Sequence, residues 1–235
     1  MQQTENLLPF KELQKVYCIN VKENTQRRSF MEQQFKMLNI DPKMITFIDA
    51  ITPLSDEYAR YMRLGALKYK NKVAQAISLS HRKIWEDIKN NEYNAAMVLE
   101  DDIEFNMEYL KQNNTTTVNL ENFKNKKYFI HLLTSYPSKI LNLEPKPKVK
   151  HNLSVVNIKY GVGAYIINDQ SASVLLKDSL FFPVIQPVDD YMWTIKRKLS
   201  FRNQYLFLPF ICQNASQPKT KAFESNISFS SNFKL

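Results

Sequence analysis

Short apolar runs alternate with helically periodic stretches through the first half of the chain. Residues 15–21, 44–50 and 95–100 are short, mostly apolar runs, the first of them rich in β-branched side chains, and this pattern predicts buried strands. Residues 25–40 and 73–90 repeat apolar side chains at the spacing of a helix turn, which predicts two amphipathic helices. This strand–helix–strand order is typical of an α/β fold with a parallel sheet.

The second half of the chain carries shorter runs with weaker periodicity. Its predicted strands fall within 124–134, 154–158, 163–168 and 204–213, and its predicted helices cover 169–180 and 188–199. The stretch 51–72 is polar and mixed, and no element is predicted there. We expect one α/β domain over 1–235, with a mostly parallel central sheet flanked by helices.

Composition excludes several classes of protein. The 235 residues are 44% apolar with only 3 glycines, which allows a substantial core but nearly excludes a glycine-rich nucleotide loop. No run of about 18 apolar residues exists, so no membrane-spanning helix is predicted. The first residues lack a basic segment followed by an apolar one, so no signal peptide is expected. Cys18 and Cys212 lie too far apart for a metal motif, and a reducing cytoplasm is the simplest setting.

The net charge is +9, from 32 basic and 23 acidic residues. A basic surface attracts anions, which include nucleic acid, acidic lipid head groups and phosphorylated substrates. The alternative is a generally basic protein without a charged partner. The clusters at 196–198 and 219–221 are not interleaved with aromatic residues, so stacking on nucleic-acid bases is not indicated.

Three consecutive acids, Glu100, Asp101 and Asp102, follow directly on the strand predicted over 95–100. In open α/β sheets, ligands bind beyond the carboxyl ends of the strands. If the chain stays extended, Glu100 and Asp102 face one way and Asp101 the other. Crowded carboxylates favour a neutralising cation, and Mg²⁺ or Mn²⁺ with shells completed by phosphates would suit them. The alternative is a solvated acidic turn or the start of a helix.

Two further positions are candidates for chemistry. His81 lies on the apolar face of the helix predicted over 73–90, where a core histidine without a catalytic role is the alternative. Asp189 and Asp190 precede a predicted helix and would stabilise its N-terminus through the macrodipole. The functional alternative is a general base or a second metal contact.

Seven short blocks occur in an order that resembles glycosyltransferase family 25, the family of bacterial lipooligosaccharide glycosyltransferases. Together they span about 14–227. The blocks are "CINVKENTQRR" with Asn20 and Arg27, "FIDA" at 47–50, "SHRKIW" at 80–85, "VLEDD" at 98–102, "GAYII" at 163–167, "PVDDYMW" at 187–193, and Gln213 with "ESNI" at 224–227.

The resemblance implies a GT-A-type nucleotide-sugar-binding fold and an inverting transfer from a UDP-sugar. Galactose is the expected sugar, and a lipooligosaccharide or another saccharide is the expected acceptor. The implied roles are metal ligation of Mn²⁺ or Mg²⁺ by Asp102 and Glu100, donor binding by Asn20, Arg27, Asp49, Ala50, His81, Glu100 and Asp101, and proton abstraction by Asp189 or Asp190.

The same resemblance implies different roles for different segments of the chain. Residues 14–110 are expected to form the nucleotide-binding half, residues 124–213 the acceptor and catalytic half, and residues 214–235 a polar tail. The expected location is cytoplasmic, with peripheral contact to an anionic membrane at its inner face as a further expectation. No nucleic-acid partner is expected.

One departure from the family pattern precedes His81. Where relatives often read "GEIGCALSH", this chain reads "VAQAISLSH", so that Ala74 replaces the usual Glu and Ile77 the usual Cys. If that Glu contacts substrate in relatives, donor or acceptor choice is expected to differ here.

Two other functions stay open at this point. A Mg²⁺-dependent nucleotidyl- or phosphotransferase would use the same acids, although no glycine-rich or lysine-anchored loop supplies a phosphate site. A non-enzymatic basic module for membrane or nucleic acid would explain the charge of +9 but not three acids at a strand end.

Overall fold

A computed structural model describes residues 6–112, 118–133, 149–150, 153–154, 162–177, 184, 186–192, 204–207 and 211–214. The strands are β1 Phe10–Lys11, β2 Lys15–Asn20, β3 Ile45–Asp49, β4 Ala96–Glu100, β5 Ile103–Phe105, β6 Val118–Asn119, β7 Phe129–His131, β8 Val149–Lys150, β9 Leu153–Ser154, β10 Ala164–Ile167, β11 Gln204–Phe207 and β12 Cys212–Asn214. The helices are α1 Thr25–Met37, α2 Asp56–Arg63, α3 Lys72–Asn90, α4 Met107–Gln112, α5 Asp169–Lys177 and α6 over 188–192.

The central sheet has the strand order β3-β2-β4-β10-β7-β11-β9-β8. Strands β3, β2 and β4 run parallel, with Cys18 of β2 level with Phe47 of β3 and Leu99 of β4. Their carboxyl ends therefore meet at one edge. The α/β class expected from the sequence is confirmed, with helices on both faces of the sheet.

The expectation of a mostly parallel sheet is wrong for the second half. Strand β10 runs antiparallel to both of its neighbours, β4 and β7, and β9 runs antiparallel to β8 and β11. The sheet is therefore mixed. A strand buried on both faces gives the same continuous apolar run in either direction, so the local pattern carries no information about strand polarity.

Alternate residues of the central strands pack into two cores, one on each face of the sheet. On one face Val16 and Cys18 of β2 meet Met31 and Phe35 of α1. On the other face Tyr17 and Ile19 of β2 belong to the same core as residues of α3 and α5. This alternation is the period of an extended chain.

Helix α3 confirms the helix predicted over 73–90 and starts where Asn71 accepts hydrogen bonds from the backbone N–H groups of Val73 and Ala74. Helix α2, in contrast, lies in the stretch for which no element was predicted. Tyr58, Tyr61 and Met62 do fall at helical spacing, but the helix has only eight residues and half of them are charged.

Some predicted elements lie largely outside the described residues. These are the strand over 154–158, the ends of the helices over 169–180 and 188–199, the middle of the segment over 204–213, and the tail over 214–235. Within the described residues, no helix combines the length and apolar character needed to cross a bilayer.

A buried glutamine joins α1 to the strand that follows the acidic triplet. The side-chain amide of Gln34 donates to the carbonyl of Ile103 at 2.6 Å and accepts from the N–H of Phe105 at 2.7 Å. Gln34 is 3% exposed, so water cannot replace these partners.

Replacing Gln34 with Leu leaves a buried carbonyl and a buried N–H of β5 without partners. We expect the free energy of unfolding to fall by about 2 to 4 kcal/mol, measured by urea denaturation. The matched control is Gln33→Leu, because Gln33 is exposed on the same helix. Equal losses from the two variants would contradict the role assigned to Gln34.

Candidate functional site

A pocket of about 300 Å³ opens at the edge where β2, β3 and β4 end. Its apolar wall includes Ile19 at the end of β2, Ile51 after β3, and Ile77 of α3. Its polar lining includes Arg27 and all three acids that follow β4. The lining residues that the structure describes all belong to 19–102.

The three acids do not alternate as an extended chain requires. Strand β4 ends at Glu100, and residues 101–102 form a turn. The turn brings Asp101 and Asp102 to the same pocket as Glu100. The expected separation of Asp101 from its neighbours is therefore wrong, because the extended conformation ends at Glu100, two residues before Asp102.

A buried arginine lies among these acids. The Arg27 guanidinium donates through Nη1 to Asp101 Oδ1 at 2.8 Å, and the same nitrogen lies 3.8 Å from Asp102 Oδ2. The other oxygen of Asp101 accepts from Asn20 Nδ2 at 2.8 Å. Asp101 is thus held by two donors, and Arg27 supplies one positive charge to three carboxylates.

Local structure explains why Arg27 points at the acids. Asn24 caps α1 by accepting a hydrogen bond from the Arg27 backbone N–H at 3.2 Å. The carbonyl of Asn24 in turn accepts from Asn20 Nδ2 at 3.3 Å. The turn from β2 into α1 is therefore tied together at the base of the pocket, with Arg27 in the first turn of the helix.

Glu100 is in contact with a buried network of aromatic and imidazole groups. His81 Nε2 lies 3.5 Å from Glu100 Oε1, and His81 Nδ1 lies 2.9 Å from the Tyr165 hydroxyl. That hydroxyl also accepts from Trp85 Nε1 at 2.9 Å. Because the indole can only donate, the hydroxyl hydrogen of Tyr165 is available for His81 Nδ1, which leaves the Nε2 hydrogen directed at Glu100.

Burial shifts the proton affinities of this pair in opposite directions. Desolvation lowers the pKa of His81 to about 4, although the negative charge of Asp189 opposes the shift. Desolvation and the charge of Asp101 raise the pKa of Glu100 to about 7, although Arg27 opposes that shift. His81 is therefore neutral at physiological pH, and Glu100 titrates near neutrality.

Gly163 and Asp189 shape the site from the second half of the chain. The N–H of Glu100 donates to the Gly163 carbonyl at 2.8 Å. A Cβ on Gly163 would lie 3.4 Å from Glu100 Oε2 and 3.2 Å from the side chain of Ile103, so a side chain there would crowd both. Asp189 Oδ1 accepts from the N–H of Val162 at 3.1 Å, which fixes the segment before Gly163.

The structure brings most of the predicted site residues together. Arg27, Glu100, Asp101 and Asp102 line the pocket, as does Ala50, whose N–H donates to the Asn20 carbonyl at 2.9 Å. Asn20 and His81 lie behind the acids.

The remaining predicted residues are not among the described residues that line the pocket. Asp49 is exposed, and Asp189 and Asp190 are half-buried on α6. Asp189 nevertheless acts on His81 through its charge. Tyr165, Trp85 and Gly163 were not predicted as parts of the site, although all three lie in the family blocks at 80–85 and 163–167. The spacing within their strand or helix gave no sign of the shared hydrogen bonds.

The carboxylate oxygens of the acids are the donors that a hard divalent cation prefers. The acids alone do not form a complete set of metal ligands. Within the described residues, no group of three or more His, Cys, Asp or Glu side chains has the arrangement of a metal site. The two oxygens of Asp101 already accept hydrogen bonds, so Glu100 and Asp102 are the natural oxygen donors. Mg²⁺ and similar ions use one or two carboxylates and fill their shell with phosphates and water.

A pocket with carboxylates beyond the ends of parallel strands belongs to the class of ligand sites found in open α/β enzymes. A family model described as Glycosyltransferase family 25 (LPS biosynthesis protein) matches residues 13–192. The chain belongs to this family. The resemblance drawn from the sequence blocks is confirmed over 13–192, and with it the assignment to the glycosyltransferases. The last block, Gln213 with 224–227, lies beyond the matched residues.

One named protein is similar in sequence to three quarters of this chain. Procollagen galactosyltransferase 1-A of Xenopus laevis is 27% identical over 188 residues, which are 75% of this chain and 30% of the relative. The chain thus spans less than a third of that relative's length.

Two solved structures resemble the fold at low sequence identity. One is a glycosyltransferase involved in the glycosylation of the major capsid of PBCV-1, with 9% identity, a TM-score of 0.39, and coverage of 88% of this chain and 84% of that chain. The other is the apo form of mouse xyloside xylosyltransferase 1, with 12% identity, a TM-score of 0.40, and coverage of 82% and 72%.

Replacing Glu100 with Gln tests the raised pKa of this carboxyl. Its pKa in the folded chain, about 7, exceeds the ordinary value of 4.5. The stability that this group contributes is therefore present below its unfolded pKa and lost as pH rises through about 7. Relative to the native chain, the Gln variant should gain about 1 to 3 kcal/mol in free energy of unfolding between roughly pH 5 and pH 8.

The measurement is urea denaturation of both proteins across this pH range. Glu23→Gln is the matched control, because Glu23 is exposed and its replacement should leave the pH dependence unchanged. A constant difference between the Glu100 variant and the native chain at all pH values would rule out the assigned titration.

Proposed function

We propose that this chain transfers a hexose from a UDP-sugar to a saccharide acceptor, with inversion at the anomeric carbon and with a divalent metal ion. The observation that carries the proposal is the pocket, in which three carboxylates share one guanidinium opposite an apolar wall. Excess negative charge next to a phosphate-bearing ligand requires a cation, and apolar walls suit a flat base or ring.

Donor binding is proposed for 14–110, the half of the chain to which all the described lining residues of the pocket belong. Val21, Ile51 and Pro53 would cover the nucleoside, while Arg27 would keep Asp101 in place beneath it. Asn20 would act through Asp101, since its amide already donates to that carboxylate. Asp49 is exposed at the end of β3 and would reach only the outer part of a donor.

Asp102 and Glu100 are the proposed ligands of Mn²⁺ or Mg²⁺. A bound ion of this kind supplies Lewis-acid stabilisation of the departing diphosphate. The chain itself holds the two carboxylates in position, Glu100 through its backbone bond to Gly163 and through His81, and Asp102 through the turn after β4. His81 stays neutral beside Glu100 and would therefore orient the carboxylate without cancelling its charge.

Acceptor activation is proposed for 124–213, the second half of the chain. Asp189 or Asp190 would take the proton from the acceptor hydroxyl as it attacks the sugar carbon opposite the leaving diphosphate. The negative charge of Asp189 acts to raise the pKa of His81, which supports a position of Asp189 close to the reacting groups. Asp189 also bonds the Val162 N–H, so its base role and its structural role require separate tests.

Galactose is the proposed sugar, because one relative is named a procollagen galactosyltransferase. A lipooligosaccharide or another saccharide is the proposed acceptor, in keeping with the family description as an LPS biosynthesis protein. The proposed location is the cytoplasm, where UDP-sugars would reach the pocket directly.

Replacing Asp102 with Asn keeps the shape of the side chain and removes its charge. Transfer from UDP-galactose in the presence of Mn²⁺ should fall by about a hundredfold or more, because the stabilisation of the leaving diphosphate is lost. The measurement is release of UDP, and calorimetric titration of Mn²⁺ in the presence of UDP gives a second readout.

Asp41→Asn is the matched control, because Asp41 is exposed and its amide replacement can still accept the Lys43 N–H. Full turnover by the Asp102 variant would contradict its role as a ligand. Release of pyrophosphate in place of UDP by the native chain would contradict sugar transfer as a whole.

Replacing Asp189 and Asp190 with Asn, one at a time, identifies which of them is the general base for the acceptor hydroxyl. The variant that lacks the base should lose about 10²- to 10⁴-fold in kcat. An asparagine at 189 can still accept the Val162 N–H, so a purely structural Asp189 would leave kcat nearly unchanged. The measurement is kcat for UDP release at saturating donor, and near-native rates in both variants would exclude both residues as the base.

A further inference from the structure

The segment 54–73, here called the pocket-rim segment, begins and ends at the pocket. Thr52 and Pro53, which precede it, line the pocket, and so does its last residue, Val73. Whatever binds this segment therefore lies beside the mouth of the site.

The pocket-rim segment carries most of the large apolar side chains that the described part of the chain exposes. Leu54 is 96% exposed, Leu64 67%, Met62 50% and Val73 39%, and the remaining member of this set is Met37 of α1. Single exposed apolar residues are ordinary, but a cluster within one short segment indicates an interaction surface.

These side chains are exposed on a segment that the fold holds in place. Tyr58 of α2 is buried and bonds through its hydroxyl to Gln75 of α3. Gly65 adopts a φ of 65° and ends α2, with its N–H bonded to the Met62 carbonyl. Beyond it, Leu67 pairs with Val184. The exposure of Leu54, Met62 and Leu64 therefore accompanies an anchored backbone.

The same segment is strongly basic. It contains five basic and two acidic residues, a net charge of +3. The basic residues are Arg60, Arg63, Lys68, Lys70 and Lys72, and all of them are exposed. No ion pair within the described residues engages any of these five side chains.

We propose that the pocket-rim segment docks on an anionic lipid bilayer, with its leucines and methionine in the head-group region and its basic side chains on lipid phosphates. Exposed apolar side chains next to basic ones are the combination that interfacial binding requires. A nucleic-acid surface would use the basic side chains but would leave Leu54 and Leu64 without apolar partners. The binding does not depend on the proposed function, although it would bring a lipid-linked acceptor to the pocket.

The test is sedimentation of the whole chain with vesicles made of equal parts phosphatidylcholine and phosphatidylglycerol, without sugar nucleotide. The native protein should bind these vesicles, should not bind pure phosphatidylcholine, and should be released by high salt. Failure of the native protein to bind would overturn the proposal.

Two triple variants separate the apolar and electrostatic contributions. Leu54→Ser with Met62→Ser and Leu64→Ser should lower the partition coefficient at least about tenfold. Arg60→Gln with Arg63→Gln and Lys68→Gln should lower it by up to about fivefold for each charge removed. None of these residues lines the pocket, so both variants should keep native UDP release with a soluble acceptor.

The matched control is Lys36→Gln with Met37→Ser, an exposed basic and apolar pair on α1 that packs on the other face of the sheet. It should bind vesicles like the native chain. Equal binding by the triple variants would overturn the proposal, and so would loss of binding in the control. A dimer in analytical ultracentrifugation that only the apolar variant abolishes would assign the surface to a second copy instead.

Discussion

The site depends on one buried ion pair, between Arg27 and Asp101. Arg27 lies in the first turn of α1 and Asp101 in the turn after β4, so the pair joins elements that are distant in sequence. Because both groups are nearly inaccessible to water, each would be costly without the other. Asn20 at the end of β2 completes the arrangement by donating to the second oxygen of Asp101. The pair therefore fixes where the neighbouring acids lie.

The ion pair between Arg27 and Asp101 also bears on the net charge of the pocket. Arg27 is the positive group that a crowded set of carboxylates requires, and the chain supplies it internally. One guanidinium does not balance three carboxylates, however, and His81 is neutral because burial lowers its pKa to about 4. Glu100 responds with a pKa raised to about 7. The pocket is thus left partly negative near neutral pH, which is the condition under which a divalent cation and a diphosphate stabilise each other.

Sequence patterns predicted the parts of this fold that local periodicity defines. Strand β4 and helix α3 were predictable because a continuous apolar run and a wide apolar stripe are strong signals. Helix α2 was missed although Tyr58, Tyr61 and Met62 fall at helical spacing, because it has only eight residues and half of them are charged. The strand β10 was predicted over 163–168, but its place in the sheet and its direction were not predictable, because pairing between distant strands leaves no mark in either strand alone.

The candidate site was likewise predicted from the sequence only in part. The acids were found because three carboxylates at a strand end are unusual, and Arg27 and Asn20 because they belong to a family block. The shared face of the acids was not predicted, because it depends on a turn that starts at Asp101. Tyr165 also lies in a family block, but its part in the site was not predicted, because its hydroxyl acts through Trp85 and His81, which come from another element.

The two residues before His81 that depart from the family pattern lie at different places relative to the pocket. Ile77, which replaces the usual Cys, lines the pocket, so its larger apolar side chain changes the wall that a donor would meet. Ala74 lies one turn earlier on α3, and it is not among the described residues that line the pocket. Its carbonyl accepts a hydrogen bond from Ser78, an interaction that any residue at this position can make. The change at Ile77 therefore bears on the pocket directly, and the change at Ala74 on the helix surface beside it.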